Sequence, residues 1–170
     1  MIHASMSFNC QQCGKCCRDL VFRDHGVLRG LTLLPEETEL FREEVIEPYL
    51  GLGKHPDSVN FRILAYQLSE TVCPHLAESM CNIYDTRPAS CRQFPFSLDP
   101  DPEEGVLLGV DMNCPAAVEL VNNCTGQIAF PDRDAAAKLF SLKQLAMKKP
   151  RQVWVYDLAQ EKWVRYDRLD

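Results

Sequence analysis

The chain has 170 residues, of which 46% are hydrophobic and 25% charged, and its net charge is −6. This length suffices for a single domain, residues 1–170, with its own buried core. The acidic balance argues against a general nucleic-acid binder. No run approaches 18 apolar residues, and the N-terminus lacks a basic region followed by an apolar one, so we expect neither a membrane span nor a secretory signal.

Nine cysteines are the most unusual feature of the composition. Without a secretory signal we expect a cytoplasmic location, where thiols stay reduced and metal ligation is commoner than disulfide formation. The count is odd, so even a disulfide scheme would leave one cysteine over.

The densest cysteine segment is Phe8–Asp19, which contains Cys10, Cys13, Cys16 and Cys17. A C-x2-C pair places two thiolates at the ends of a tight turn, where they can share one metal ion or one cluster. Cys10, Cys13 and Cys16 repeat this spacing twice, as at the start of a bacterial ferredoxin motif. Cys17 departs from that motif because it follows Cys16 directly, where the motif places three residues before its next cysteine. Adjacent side chains diverge, so we expect the two to serve different metals, or only one of them to be a ligand.

The next segment predicts a short strand, a helix and a second strand. Val21–Arg23 has strand character. Pro35, followed by three glutamates and a helical apolar spacing, predicts a helix over Pro35–Tyr49. Partial alternation predicts a strand over Val59–Ser69.

A second cysteine-rich region follows, with Cys73, Cys81 and Cys91 as sulfur donors. Arg87-Pro88 predicts the start of a short helix that carries Cys91. His75 lies two positions from Cys73, and a capping or outer-shell role is favoured there over direct ligation.

The two regions together resemble a known family. The motifs are C-x2-C-x2-C-C near the start and C-P-x-L…C-x-I-Y-x-x-R-P-x-x-C-R-x-F-P-F later. They are similar to the CxxCxxCC, or YkgJ-type, cysteine-cluster family of zinc- or iron-chelating domains. The resemblance runs from Cys10 to Cys114 and implies metal binding; it indicates no particular reaction. It also implies that Cys114, in a Cys-Pro pair, is the eighth ligand, whereas Cys124 lies outside the pattern.

The last third of the chain predicts two hairpins and a helix. Phe94–Leu98 and Val106–Val110 flank an acidic turn and are expected to pair. A 3.6-residue apolar period predicts a helix over Ala135–Lys148. Gln152–Leu158 and Lys162–Asp167 alternate and predict a C-terminal hairpin.

The resulting expectation is a small, compact, metal-stabilised α+β domain with short helices and short antiparallel strands. Residues 10–114 form its cysteine-cluster region, and residues 115–170 its C-terminal helices and hairpin. The favoured function is that of an iron–sulfur or thiolate-ligated iron protein with a redox or metal-handling role and an unidentified redox or protein partner. A structural zinc module and a metal-dependent enzyme are the alternatives. The predicted ligands are Cys10, Cys13, Cys16, Cys17, Cys73, Cys81, Cys91 and Cys114.

Overall fold

A computed structural model describes residues 6–170, so the first five residues, where we expect no secretory signal, lie outside the described part of the chain. The helices are α1 (Ala89–Gln93), α2 (Pro115–Asn123) and α3 (Arg133–Lys148). Short 3-10 helices span Lys15–Cys17, Pro35–Leu40, Glu43–Val45, Tyr84–Thr86 and Tyr166–Arg168. The strands are β1 (Met6–Ser7), β2 (Phe22–Asp24), β3 (Val27–Arg29), β4 (Thr32–Leu33), β5 (Ile46–Leu52), β6 (Arg62–Leu68), β7 (Leu76–Ala77), β8 (Met80–Cys81), β9 (Phe96–Asp101), β10 (Gly105–Val110), β11 (Ile128–Ala129), β12 (Val153–Asp157) and β13 (Lys162–Arg165).

The chain forms two compact units, each built from two separate stretches of sequence. The first unit comprises Met1–Cys17 and His75–Phe140, and the second comprises Arg18–Pro74 and Ser141–Asp170. The expected α+β class, with few short helices and short antiparallel strands, is confirmed. Organisation as a single domain stays a prediction.

The second unit is built on a five-stranded sheet in the order β13-β12-β5-β6-β4, in which every neighbouring pair is antiparallel. In β12, Val153 and Val155 are buried, whereas Trp154 and Tyr156 are half-buried. This alternation is expected of a strand with one face against the core. Val153, Val155, Leu50 and Ala65 form a core cluster with Ala146 of α3.

Strand β6 of this sheet carries a fully buried amide side chain, that of Gln67. Its Oε1 accepts the Gly30 N–H at 2.8 Å. Its Nε2 donates to the carbonyls of Pro48 at 2.7 Å and Tyr156 at 3.1 Å. The amide therefore joins backbone groups of three different segments of the second unit.

The predicted helix over Pro35–Tyr49 is wrong. Two 3-10 helices occupy its first part, and β5 begins at Ile46. The start signals act only locally, because the buried Glu37 carboxylate accepts the Leu34 N–H at 2.9 Å and Pro35 occupies the first turn. Pro48 then falls in β5 beside a register shift in the pairing with β6, where a residue without an N–H is tolerated.

The other predicted elements are found close to their expected positions. β2 and β6 correspond to the two predicted strands, and α1 carries Cys91 after Pro88. β9 pairs with β10, α3 covers the predicted helix, and β12 pairs with β13. Helix α2 lies within residues 115–170, where C-terminal helices are expected, although no bounds are predicted for it; Pro115 at its first position is a typical start signal.

No helix within residues 6–170 is long and apolar enough to cross a bilayer.

Candidate metal centre

The N-terminal cysteines lie on a loop that ends in a 3-10 turn. The Gln12 N–H donates to Cys10 Sγ at 3.3 Å, and the Cys17 N–H donates to the Gly14 carbonyl at 3.2 Å. Cys16 and Cys17 lie together on the turn Lys15–Cys17. The loop thus presents its thiols on tightly folded backbone, as C-x2-C spacing predicts.

Gly14 brings this loop against the β7–β8 hairpin. Its φ is +71°, a left-handed conformation that favours glycine. A Cβ at this position would lie 3.1 Å from Leu76 Cδ1 and 3.2 Å from Ser79 Cα. Cys81 ends β8, two residues after Ser79. The close approach therefore places the loop beside the segment that carries Cys81.

We expect Gly14→Ala to lower the free energy of unfolding by about 2 kcal/mol, because alanine is strained at positive φ and its methyl group displaces the hairpin. Thermal unfolding followed by circular dichroism measures the effect. Gly105→Ala is the matched control, since Gly105 has φ +80° and a Cβ there would meet nothing within 4 Å beyond its chain neighbours. Equal losses in the two variants would show that contact with the hairpin contributes nothing.

Cys114 is the buried cysteine of the predicted set, with 7% of its surface exposed. It occupies the N-cap position of α2, which Pro115 begins. Its side chain belongs to an apolar cluster with Ala116 and Ala117, against which Phe8 and Phe94 pack. Phe8 precedes Cys10 by two positions and Phe94 follows Cys91 by three. The cluster therefore anchors three cysteine-bearing segments together.

The Cys114 thiol is also within electrostatic reach of two other cysteines. Burial raises the pKa of this thiol above its ordinary value. The backbone amides of Ala117 and Ala116 lower that pKa. The thiols of Cys13 and Cys16 raise it again. Segments about 100 positions apart in the sequence thus bring thiols into one neighbourhood.

Two arginines, Arg87 and Arg92, contact groups around α1. The Arg87 guanidinium lies 3.6 Å from the Tyr84 ring centroid, and its Nε donates to the Tyr84 carbonyl at 2.7 Å. Arg92 pairs with Asp132 at 2.9 Å and donates to the Arg87 carbonyl at 2.6 Å. Asp132 Oδ1 also accepts the Ala135 N–H at 2.9 Å near the start of α3. These bonds hold the short helix of Cys91 in place within the first unit.

The remaining candidates are placed as follows. Cys73 belongs to the second unit, where it packs against a cluster containing Leu33 and Leu68. The His75 carbonyl accepts the Asn82 N–H at 2.9 Å. Cys124 Sγ lies 3.0 Å from the Gly126 carbonyl oxygen.

The first unit holds seven of the eight predicted ligands: Cys10, Cys13, Cys16, Cys17, Cys81, Cys91 and Cys114. All nine cysteines fall within the described residues, and none of them forms a disulfide there. Over residues 6–170, no three or more His, Cys, Asp or Glu side chains are arranged as a ready metal site. The donor set is nevertheless the one that zinc and iron–sulfur centres use, because thiolate sulfur suits both. The packing of Phe8 against the Cys114 cluster is not predicted from the sequence. The only hint of it in the sequence is an aromatic residue two positions before the first cysteine.

The cysteine-rich part of the chain matches a known protein family. Residues 9–125, about two-thirds of the chain, match the CxxCxxCC model, described as "Putative zinc- or iron-chelating domain". The chain belongs to this CxxCxxCC family. Comparisons with curated proteins and with solved structures gave no match.

The CxxCxxCC match includes all nine cysteines, Cys124 among them. Membership supports binding of zinc or iron and agrees with an all-sulfur donor set. Helix α3 and the β12–β13 hairpin both follow the matched region.

Proposed function

We propose that the cysteines of the first unit bind iron, as an iron–sulfur cluster or as thiolate-ligated iron, and that the protein serves in redox chemistry or metal handling. The ligands are drawn from Cys10, Cys13, Cys16, Cys17, Cys81, Cys91 and Cys114. The predicted participation of Cys73 remains an expectation from the sequence.

The observation that supports this proposal best is the convergence of the segments of Cys10, Cys91 and Cys114 on one apolar cluster. Burial raises the pKa of the Cys114 thiol, and the neighbouring Cys13 and Cys16 raise it further. A bound cation reverses that penalty, because it stabilises each thiolate that ligates it. A group of cysteines held together in this way is therefore suited to binding a metal.

The number and arrangement of the thiols favour iron over zinc. A structural zinc ion takes four ligands in a closed tetrahedron, whereas the first unit holds seven of the predicted cysteines. Cys16 and Cys17 are adjacent on one turn, which suits sulfurs directed to different metal ions. Phe8 and Phe94 pack around Cys114, and an apolar surrounding of this kind tunes the potential of an iron centre.

The test is purification without oxygen, followed by a visible spectrum and measurement of iron, zinc and acid-labile sulfide on the same sample. We expect iron and sulfide in stoichiometric amounts with a broad absorption band near about 400 nm. Iron without sulfide would indicate a thiolate-ligated iron site. A colourless protein with one or two zinc ions per chain would overturn the proposal and leave a structural zinc module.

A further inference from the structure

Strand β10 exposes three consecutive apolar side chains. Val106 is 48% exposed, Leu107 46% and Leu108 51%. Successive side chains of a strand alternate between its faces, so these three residues present apolar surface on both faces of the hairpin. Contiguous exposed apolar surface of this kind marks interaction sites.

The pairing register shows that one face of the hairpin is apolar along its whole length. Leu108 lies opposite Leu98, Val106 opposite Pro100, and Val110 opposite Phe96. The base of this face is covered, since the Phe96 ring lies 5.9 Å from those of Phe8 and Phe130, measured between centroids. Towards the turn, Val106 and Leu108 have no such cover.

The two edges of the hairpin are unlike. β9 and β10 form a two-stranded sheet, and across the described part of the chain the second edge of β10 is paired with no strand. β9 contains Pro100 and two aspartates, which are common devices for blocking an edge. β10, with the sequence GVLLGV, contains neither a charge nor a proline. Only the edge of β10 is therefore suited to accept a further strand.

We propose that β10 binds an extended segment of a partner protein, added as a third strand, in which aliphatic side chains alternate with lysine or arginine. Strand addition fits both exposed faces, because the aliphatic side chains of the added strand would pack beside Val106 and Leu108. Its lysine or arginine side chains would lie on the other face, with their apolar stems beside Leu107 and their charges on the face that carries Asp99. A partner that packed on one face would leave the other apolar side chain in water.

Charge selects a basic partner. The stretch 94–113 contains five acidic residues and no Lys, Arg or His; the acids are Asp99, Asp101, Glu103, Glu104 and Asp111. An antiparallel pairing of β10 with a second copy of itself would bring the acidic turn of each copy towards Asp111 of the other, and like charges repel. A basic segment meets attraction at both ends of the strand instead.

The test uses a fluorescently labelled octapeptide of alternating lysine and valine, with fluorescence anisotropy as the readout. We expect saturable binding that Leu107→Thr/Leu108→Thr weakens by at least about tenfold, because threonine keeps strand propensity and removes apolar contact. Glu103→Lys/Glu104→Lys, in the exposed turn, is expected to weaken binding by several-fold without altering the strand. The control is Val59→Thr, at a fully exposed apolar residue of the second unit, which should bind as the unchanged protein does.

Amide hydrogen exchange locates the peptide. We expect the bound peptide to slow amide exchange at residues 106–108 of β10. Absence of saturable binding, or equal binding by the Leu107→Thr/Leu108→Thr protein, would overturn the proposal. A dimer that the same double substitution converts to a monomer would also overturn it and would assign the edge to a second copy of the chain.

Discussion

Gln67→Leu is expected to lower the free energy of unfolding by about 4 kcal/mol. Leucine is close to glutamine in volume, so the substitution removes hydrogen bonds and leaves little cavity. It leaves the Gly30 N–H and the carbonyls of Pro48 and Tyr156 without their hydrogen-bond partner. Each buried polar group left without a partner costs about 1–3 kcal/mol. The total is a large fraction of the roughly 5–15 kcal/mol that stabilises a typical protein.

Urea unfolding followed by tryptophan fluorescence measures this loss. Both tryptophans, Trp154 and Trp163, lie in the second unit with Gln67, so the signal reports on that unit. Gln160→Leu is the matched control, because Gln160 is exposed in the turn between β12 and β13. We expect it to change stability by less than about 0.5 kcal/mol. A loss below about 1 kcal/mol for Gln67→Leu would show that the amide bonds contribute little.

Cys114→Ser is expected to weaken metal binding by more than about 100-fold. Loss of an outer-shell group already costs about 10- to 100-fold in affinity, and loss of a ligand costs more. Serine is close to cysteine in size and is a preferred N-cap residue, so α2 and the cluster around Phe8 and Phe94 should persist. The metal-free variant should therefore unfold at nearly the same urea concentration as the metal-free parent.

Metal per chain and competition with a chelator of known affinity measure the binding. Cys124→Ser is the control, since Cys124 lies outside the predicted ligand set. Unchanged affinity in Cys114→Ser would contradict its assignment as a ligand. A comparable loss in Cys124→Ser would move that cysteine into the set.

Local pattern predicted the hairpins well, because alternation and a turn act within a few residues. The acidic turn before Gly105 separates β9 from β10, and the prediction needed nothing beyond that stretch. The helix prediction failed at Ile46 for the opposite reason. β5 is a strand because it pairs with β6. The sequence of β5 itself contains no local signal of that pairing.

The candidate site shows the same division. Spacing identified the thiols, and family resemblance identified Cys114, but neither could state which segments meet. That depends on the lack of a side chain at Gly14 against Ser79, and on Phe8 packing near Cys114. Contacts between positions far apart in sequence follow from packing, and a single sequence does not contain them in readable form.

The construction of the first unit from Met1–Cys17 and His75–Phe140 has a consequence for synthesis on the ribosome. Cys13 and Cys16 are made first, and Cys114 follows about 100 residues later. At roughly 5–20 residues per second, the early thiols wait about 5–20 s for their distant counterpart. Translation therefore leaves an interval in which the C-x2-C loop is present in the nascent chain before the unit around it can close.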